Sequence, residues 1–207
     1  MLTFLTLHRR AVDASIDIVS GVVAADLDRP TPCAGWTLAD LLTHMTAQHR
    51  GFAAAARGHG ADPAAWRTEP LAGAIAADPA GTYATAAAGV LSAFAESGVG
   101  QSLFALPELG ADVAVVGETA MGFHFVDYVV HGWDVAASLG APFSLPAEVL
   151  DAALSLALAV PDGGFRDGDA SPFARALPPT DGDALTRLLR HLGRDPSWTA
   201  PHARVGC

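Results

Sequence analysis

Apolar residues recur along the chain mainly at three- and four-residue steps, the period of a helix buried on one face. Over 4–25, Leu7, Val12, Ile16, Val19 and Val23 mark such a stripe, and Pro30 and Pro32 close it off. The run "WTLADLLTHM" opens a second helix. Thr37 is placed to cap it, Asp40 to complete a near capping box, and Trp36 and Leu41 to form a hydrophobic staple. This helix is expected to reach about Ala56, ahead of Gly58 and Gly60. Residues 57–78 read as a loop with a short helical turn. Asp78 and Pro79 start a third helix whose buried face carries Tyr83, Ala87, Val90, Leu91 and Phe94, and Gly98 ends it. Residues 99–113 look irregular, with a short extended piece at "SLFAL". A fourth long helix covers about 114–139 and stops at Gly140 and Pro142. A fifth runs 146–160, a Gly/Asp/Pro-rich stretch fills 161–182, and a short sixth covers 183–192 before a polar tail.

Strand signals are nearly absent and no internal repeat is visible. The pattern predicts an all-α fold in one domain, residues 1–207. Its core is an up-down-up-down four-helix bundle over about 4–140, with a C-terminal helical extension over about 141–196 packed outside.

Composition narrows the class of partner. Apolar residues make up 51% of the chain and charged residues 16%, which supports a packed core rather than disorder. All 12 basic residues are Arg, and the net charge is −10. A phosphate backbone would be repelled by most of such a surface, so nucleic acid is not an expected partner. No apolar run is long enough to span a membrane. The N-terminus lacks the pattern of a secretory signal. Cys33 and Cys207 form no disulfide framework, and a reducing cytoplasm is the expected setting.

The candidate chemistry lies in "HFVDYVVHGWD", residues 124–134. At about 100° per residue, His124, Asp127 and His131 share one narrow stripe of the fourth helix. An i,i+4 carboxylate–imidazole pair can grip one ion, but it is also a common local ion pair. Spacing alone favours that second, structural reading. A metal site would need a ligand from a facing helix, and the second helix offers His44 among Leu41, Leu42 and Met45. His49 is about 140° round from His44, so His44 is expected to face inward and His49 outward. His44, Asp127 and His131 would make a two-histidine, one-carboxylate set with open positions, which suits zinc or ferrous iron. His124 reads as a pocket neighbour or alternative ligand. Asp134 is expected to pair with an Arg rather than orient an imidazole, and Trp133 to serve packing. No base flanks Cys33, which reads as a small buried residue. His8, His59, His191 and His202 are expected at the surface. No catalytic nucleophile or general base stands out.

"RPTPCAGWTLADLLTHM" and "VVHGWDVAASLG" resemble the two signatures of the DinB/YfiT-like metalloenzymes, and most closely the mycothiol-dependent maleylpyruvate isomerase N-terminal-like branch. "LTRLLRHLGRDPSW" is similar to the tail of that branch's short, stand-alone metal-binding members. The resemblance implies a four-helix bundle with one divalent metal near one end. It implies His44 as the ligand from the second helix and His131 as the second histidine of a Glu-x-x-x-His pair. Asp127 stands where that pair has Glu, one methylene shorter. The implied ion is zinc, with nickel, manganese or iron as alternatives, and the implied cosubstrate is mycothiol. The isomerase also carries a C-terminal domain that this chain is too short to include, so isomerase activity itself is not expected.

The function that follows is a metal-dependent thiol S-transferase joining a small-molecule thiol to an electrophile. The alternatives are a non-catalytic metal-binding, sensor or scaffold module, and a metal-free helical domain. Related bundles often pair through their helices, so the resemblance extends to a homodimer as the partner arrangement.

Overall fold

The computed structural model describes residues 3–110, 112–168 and 171–200. Four long helices make the core: α1 (Phe4–Val19), α2 (Leu38–Ala56), α4 (Pro79–Phe94) and α5 (Gly117–Leu139). A short helix, α3 (Ala72–Ala77), lies in the expected loop between α2 and α4. The extended piece at 103–105 is strand β1 (Leu103–Ala105), paired antiparallel with β2 (Ala114–Val116). This pairing takes the first residues expected in the fourth helix, which therefore begins at Gly117. Helices α6 (Ala147–Leu158) and α7 (Ala184–His191) follow. No helix among the described residues is long and apolar enough to cross a membrane.

Local chemistry explains where the helices begin. The Thr37 hydroxyl accepts the Asp40 backbone N–H at 3.2 Å, and the Asp40 carboxylate accepts the Thr37 N–H at 2.9 Å. Two otherwise orphaned donors are thereby satisfied at the start of α2. Asp78 does the same at α4, accepting the Gly81 N–H at 2.9 Å, with Pro79 in the first turn. Thr37→Ala is expected to cost about 1 kcal/mol of unfolding free energy, read as a lower urea midpoint. Trp36 packs its ring 5.0 Å from the His44 ring.

The all-α bundle stands, but the helix directions do not simply alternate. His49 of α2 faces Tyr83 near the start of α4, and Arg57 just beyond α2 pairs with Glu96 just beyond α4, so these two helices run parallel. His8 meets His124, and Ser15 lies against Gly132, so α1 and α5 also run parallel. The directions are therefore up-down-down-up rather than up-down-up-down. The physical reason is the connection over 57–78. Its residues carry the chain back along the length of α2, roughly 28 Å, before α4 starts. Helices α1 and α2 each pack on both α4 and α5.

The core has three apolar clusters. One, at the end where α1 stops and α2 starts, includes Val19, Leu38, Leu42, Met45 and Val135. Another, at the opposite end beside the hairpin, includes Phe52, Phe94, Phe104 and Met121. The third joins the outer face of α5 to α6 and α7 through Phe125, Val129, Val149, Leu154 and Leu188. Helices α6 and α7 thus lie outside the four-helix core, on α5 and α1.

Candidate metal site

The site grows from α2 and α5, which cross in the core. Helix α2 buries 14 of its 19 residues, so it has hardly any outward face. His44 therefore points into the bundle on the row Leu41–His44–Gln48. His49, expected outward, is fully buried on the row Leu42–Met45–His49–Phe52. The 140° separation is correct, but it assumed a helix with one wet side. A helix enclosed by α4, α5, the 57–78 connection and the hairpin can bury both.

His44, Asp127 and His131 come together. One ligand atom from each lies within 4.8 Å of the other two. The His44 and His131 rings meet edge-on at 5.5 Å between centroids. Nε2 of His131 is 3.3 Å from Oδ1 of Asp127. His131 is 5% exposed, and His44 and Asp127 are partly open to solvent, so the cluster has a buried wall and an accessible mouth. Burial, reinforced by the charge of His131, lowers the His44 pKa to about 4. Burial also opposes the imidazolium of His131, but Asp127, the hydrogen bond to Asp134 and the neighbouring Cys33 outweigh it and hold that pKa well above normal. A field that favours a positive charge at this point also favours a cation held between the same groups. Two imidazoles and one carboxylate leave coordination positions open, and this donor set fits zinc and other borderline divalent ions.

Behind His131 stands a second polar layer, in which Asp134 is partnered by Arg194 and Cys33, far apart in the sequence. Nδ1 of His131 is 2.9 Å from Oδ2 of Asp134. Asp134 is also bound by Arg194, whose Nε reaches Oδ1 at 3.1 Å. Asp134 therefore takes both roles weighed for it, pairing with an Arg and orienting an imidazole. Burial would raise the Asp134 pKa, but His131 and Arg194 reverse that and keep it ionised below its usual range. Cys33 is half-buried and not merely apolar: its thiol donates to Asp134 Oδ2 at 3.3 Å and its sulfur accepts from Arg194 at 3.2 Å. Cys33, His131 and Asp134 are close enough to surround an ion of their own. The Arg194 guanidinium already supplies the positive charge there, which disfavours a second cation.

His124 belongs to neither group. It sits inside a chain of three imidazoles, with His8 Nε2 to His124 Nδ1 at 2.9 Å and His124 Nε2 to His49 Nδ1 at 3.1 Å. All three are buried, including His8, which was expected at the surface. His8 lies on the row His8–Val12–Ser15–Val19, the buried face of α1, and that period was its readable signal. Burial lowers the His8 pKa to about 3, and it pushes those of His49 and His124 well below normal. The rings bond in line rather than pointing their nitrogens at one centre, and Tyr128 stacks on both His49 and His124 at 4.0 and 4.1 Å. His59 is exposed as expected; His191 is half-buried and bonded to the Val160 carbonyl at 2.9 Å. His202 lies outside the described residues. Trp133 packs with the α5–α6–α7 cluster.

Glu108, in the turn between the two strands, accepts from Gln48 at 2.5 Å. Burial of its carboxyl and the charge of Asp127 raise its pKa, against the opposing effect of Gln48.

Fold and site together define a helical bundle with a two-histidine, one-carboxylate cluster between its second and last long helices. The chain belongs to the family of the mycothiol maleylpyruvate isomerase N-terminal domain, whose model matches residues 8–136. It is also similar to uncharacterized proteins of Mycobacterium tuberculosis strains CDC 1551 / Oshkosh and H37Rv, each 31% identical over 189 residues, covering 90% of this chain and 95% of the relative. No solved structure matches it.

Proposed function

We propose that His44, Asp127 and His131 hold a divalent metal, zinc in the first instance, and that the protein transfers a low-molecular-weight thiol of the mycothiol type to an electrophile. The observation that carries this reading is the convergence of the three ligand atoms at a mouth open to solvent. The family supplies the thiol. A bound divalent cation stabilises a thiolate over its thiol at neutral pH.

The side chains divide the remaining work. His44 stays neutral down to about pH 4 and so keeps a lone pair available across the physiological range. His131 directs Nδ1 to Asp134 and so presents Nε2 to the cluster. Asp127 adds the negative charge that balances the ion. Glu108, held by Gln48 at 2.5 Å and raised in pKa by burial and the charge of Asp127, lies outside the ligand set.

The test is metal content of the purified protein after incubation with Zn²⁺, followed by conjugate formation between mycothiol and a panel of enones, epoxides and activated aryl halides. Stoichiometric zinc and conjugation above the rate with free zinc are expected. Zinc without conjugation would favour a non-catalytic metal-binding module. The absence of stoichiometric zinc, nickel, manganese or iron would overturn the metal reading.

A further inference from the structure

The most strongly tied side chain around the cluster comes from outside the family-matched segment. Arg194 follows α7, well past residue 136. The chain turns there at Gly193, whose φ of +79° is a left-handed conformation that suits glycine. The Arg194 N–H then bonds back to the Leu189 carbonyl at 2.8 Å, fixing the turn. From that turn the guanidinium reaches α5, where it is 8% exposed. It makes three contacts with Asp134: Nε to Oδ1 at 3.1 Å, Nε to Oδ2 at 3.3 Å and Nη2 to Oδ2 at 3.2 Å. Asp134 is fully buried, and its Oδ2 also faces Nδ1 of His131 at 2.9 Å.

We propose that Arg194 is a positioning residue for the metal cluster, acting through Asp134 to hold His131 with Nε2 turned toward His44 and Asp127. The inference rests on the reading of that cluster as a metal site. A carboxylate that accepts from Nδ1 fixes the tautomer and the ring plane of a ligating histidine. A buried carboxylate does this reliably only when its own orientation is fixed and its charge is matched. His131 and the Cys33 thiol both draw on Oδ2, and neither fixes the plane of the Asp134 carboxylate. The guanidinium, with contacts to both oxygens, does. Without it, Asp134 can rotate about its last torsion, and the imidazole loses its rigid support. The C-terminal extension would thereby serve the site directly, not only cover the bundle.

The experiment is calorimetric titration with Zn²⁺, paired with the visible absorption of the Co²⁺ form, for wild type, Arg194→Met and Arg194→Lys. Arg194→Met is expected to weaken Zn²⁺ binding by about 10-fold or more and to alter the Co²⁺ bands, because support of a ligating histidine is lost. Arg194→Lys, which keeps the charge but not the two-pronged geometry, should recover part of the affinity. If Arg194→Met does not fold, Arg194→Lys and Asp134→Asn carry the test, and both should bind Zn²⁺ more weakly than wild type. Wild-type affinity and an unchanged Co²⁺ spectrum in the folded variants would overturn the role, even if their melting temperatures fell. Failure of the wild-type protein itself to bind Zn²⁺ would instead overturn the metal reading, and with it this inference.

Discussion

Replacing His131 by alanine is expected to abolish stoichiometric metal binding, with a loss larger than the roughly 10–100-fold that follows removal of an outer partner. Three features of its position make it the most sensitive of the three proposed ligands. It is the best buried of the three, at 5% exposed. It is the one member gripped from both sides, by Asp127 at 3.3 Å and by Asp134 at 2.9 Å. It also couples the solvent-facing ligands to the buried charges behind them. Truncation removes a donor and leaves Asp127 without its local partner. Asp134 keeps Arg194, so the fold should survive, and far-ultraviolet circular dichroism should stay that of a helical protein. Asp127→Glu is a useful companion, because it restores the longer carboxylate of the Glu-x-x-x-His pattern and should retain binding. Metal analysis after dialysis separates the cases. A His131→Ala protein that holds one equivalent as firmly as wild type would place the ion elsewhere.

Acid should destabilise this protein earlier than its carboxylates would. The chain His8–His124–His49 is neutral in the fold, since burial drives His8 down to about 3 and the other two well below their usual value. The unfolded chain takes up these protons near pH 6.5. The folded pKa values are depressed, so the stabilisation is complete above 6.5 and is lost as pH falls through that value toward the folded ones. Between pH 7 and 5, each imidazole that stays neutral costs about 2 kcal/mol of stability. His131 works in the opposite direction, its raised pKa favouring the fold at low pH, but it is one residue against four, since His44 is lowered to about 4 as well. Urea midpoints of the metal-free protein should therefore fall steeply over this interval. His124→Gln removes one titrating member, and its midpoint should depend on pH about a quarter less steeply. An equal slope in the two proteins would mean that the buried chain does not bear the acid sensitivity.

The sequence disclosed the frame better than the interior. Thr37, Asp40, Asp78 and Pro79 announced two helix starts because capping is local chemistry, decided within three residues. His44, Asp127 and His131 were legible as a stripe and a facing partner from helical period, but their common level depends on α2 and α5 running antiparallel, which the expected order of directions did not have. What was lost depends on contacts that no local pattern encodes. Arg194 lies 60 residues beyond Asp134, and nothing around it signals a buried partner. The parallel course of α2 and α4 follows from where the 57–78 connection lies, and its Gly- and Pro-rich composition does not reveal that. His8 and His49 were different, because both sit in register with buried apolar neighbours. There the period was present in the sequence, but His8 stands in a polar, near-terminal context and His49 stands about 140° round from His44, and those signals pointed outward.

The placement of α1 beside α5 has a consequence for how the chain reaches its fold. His8 and His124 touch across a separation of 116 residues, a long reach for a helical protein. Closing a loop of that length costs about 1.5 kcal/mol more entropy than closing one of about twenty residues. Each helix can form on its own timescale, but the side of α1 that meets α5 is buried only when α5 arrives. The bundle is thus built from local segments and completed by a distant contact, which places it among the slower-folding helical proteins.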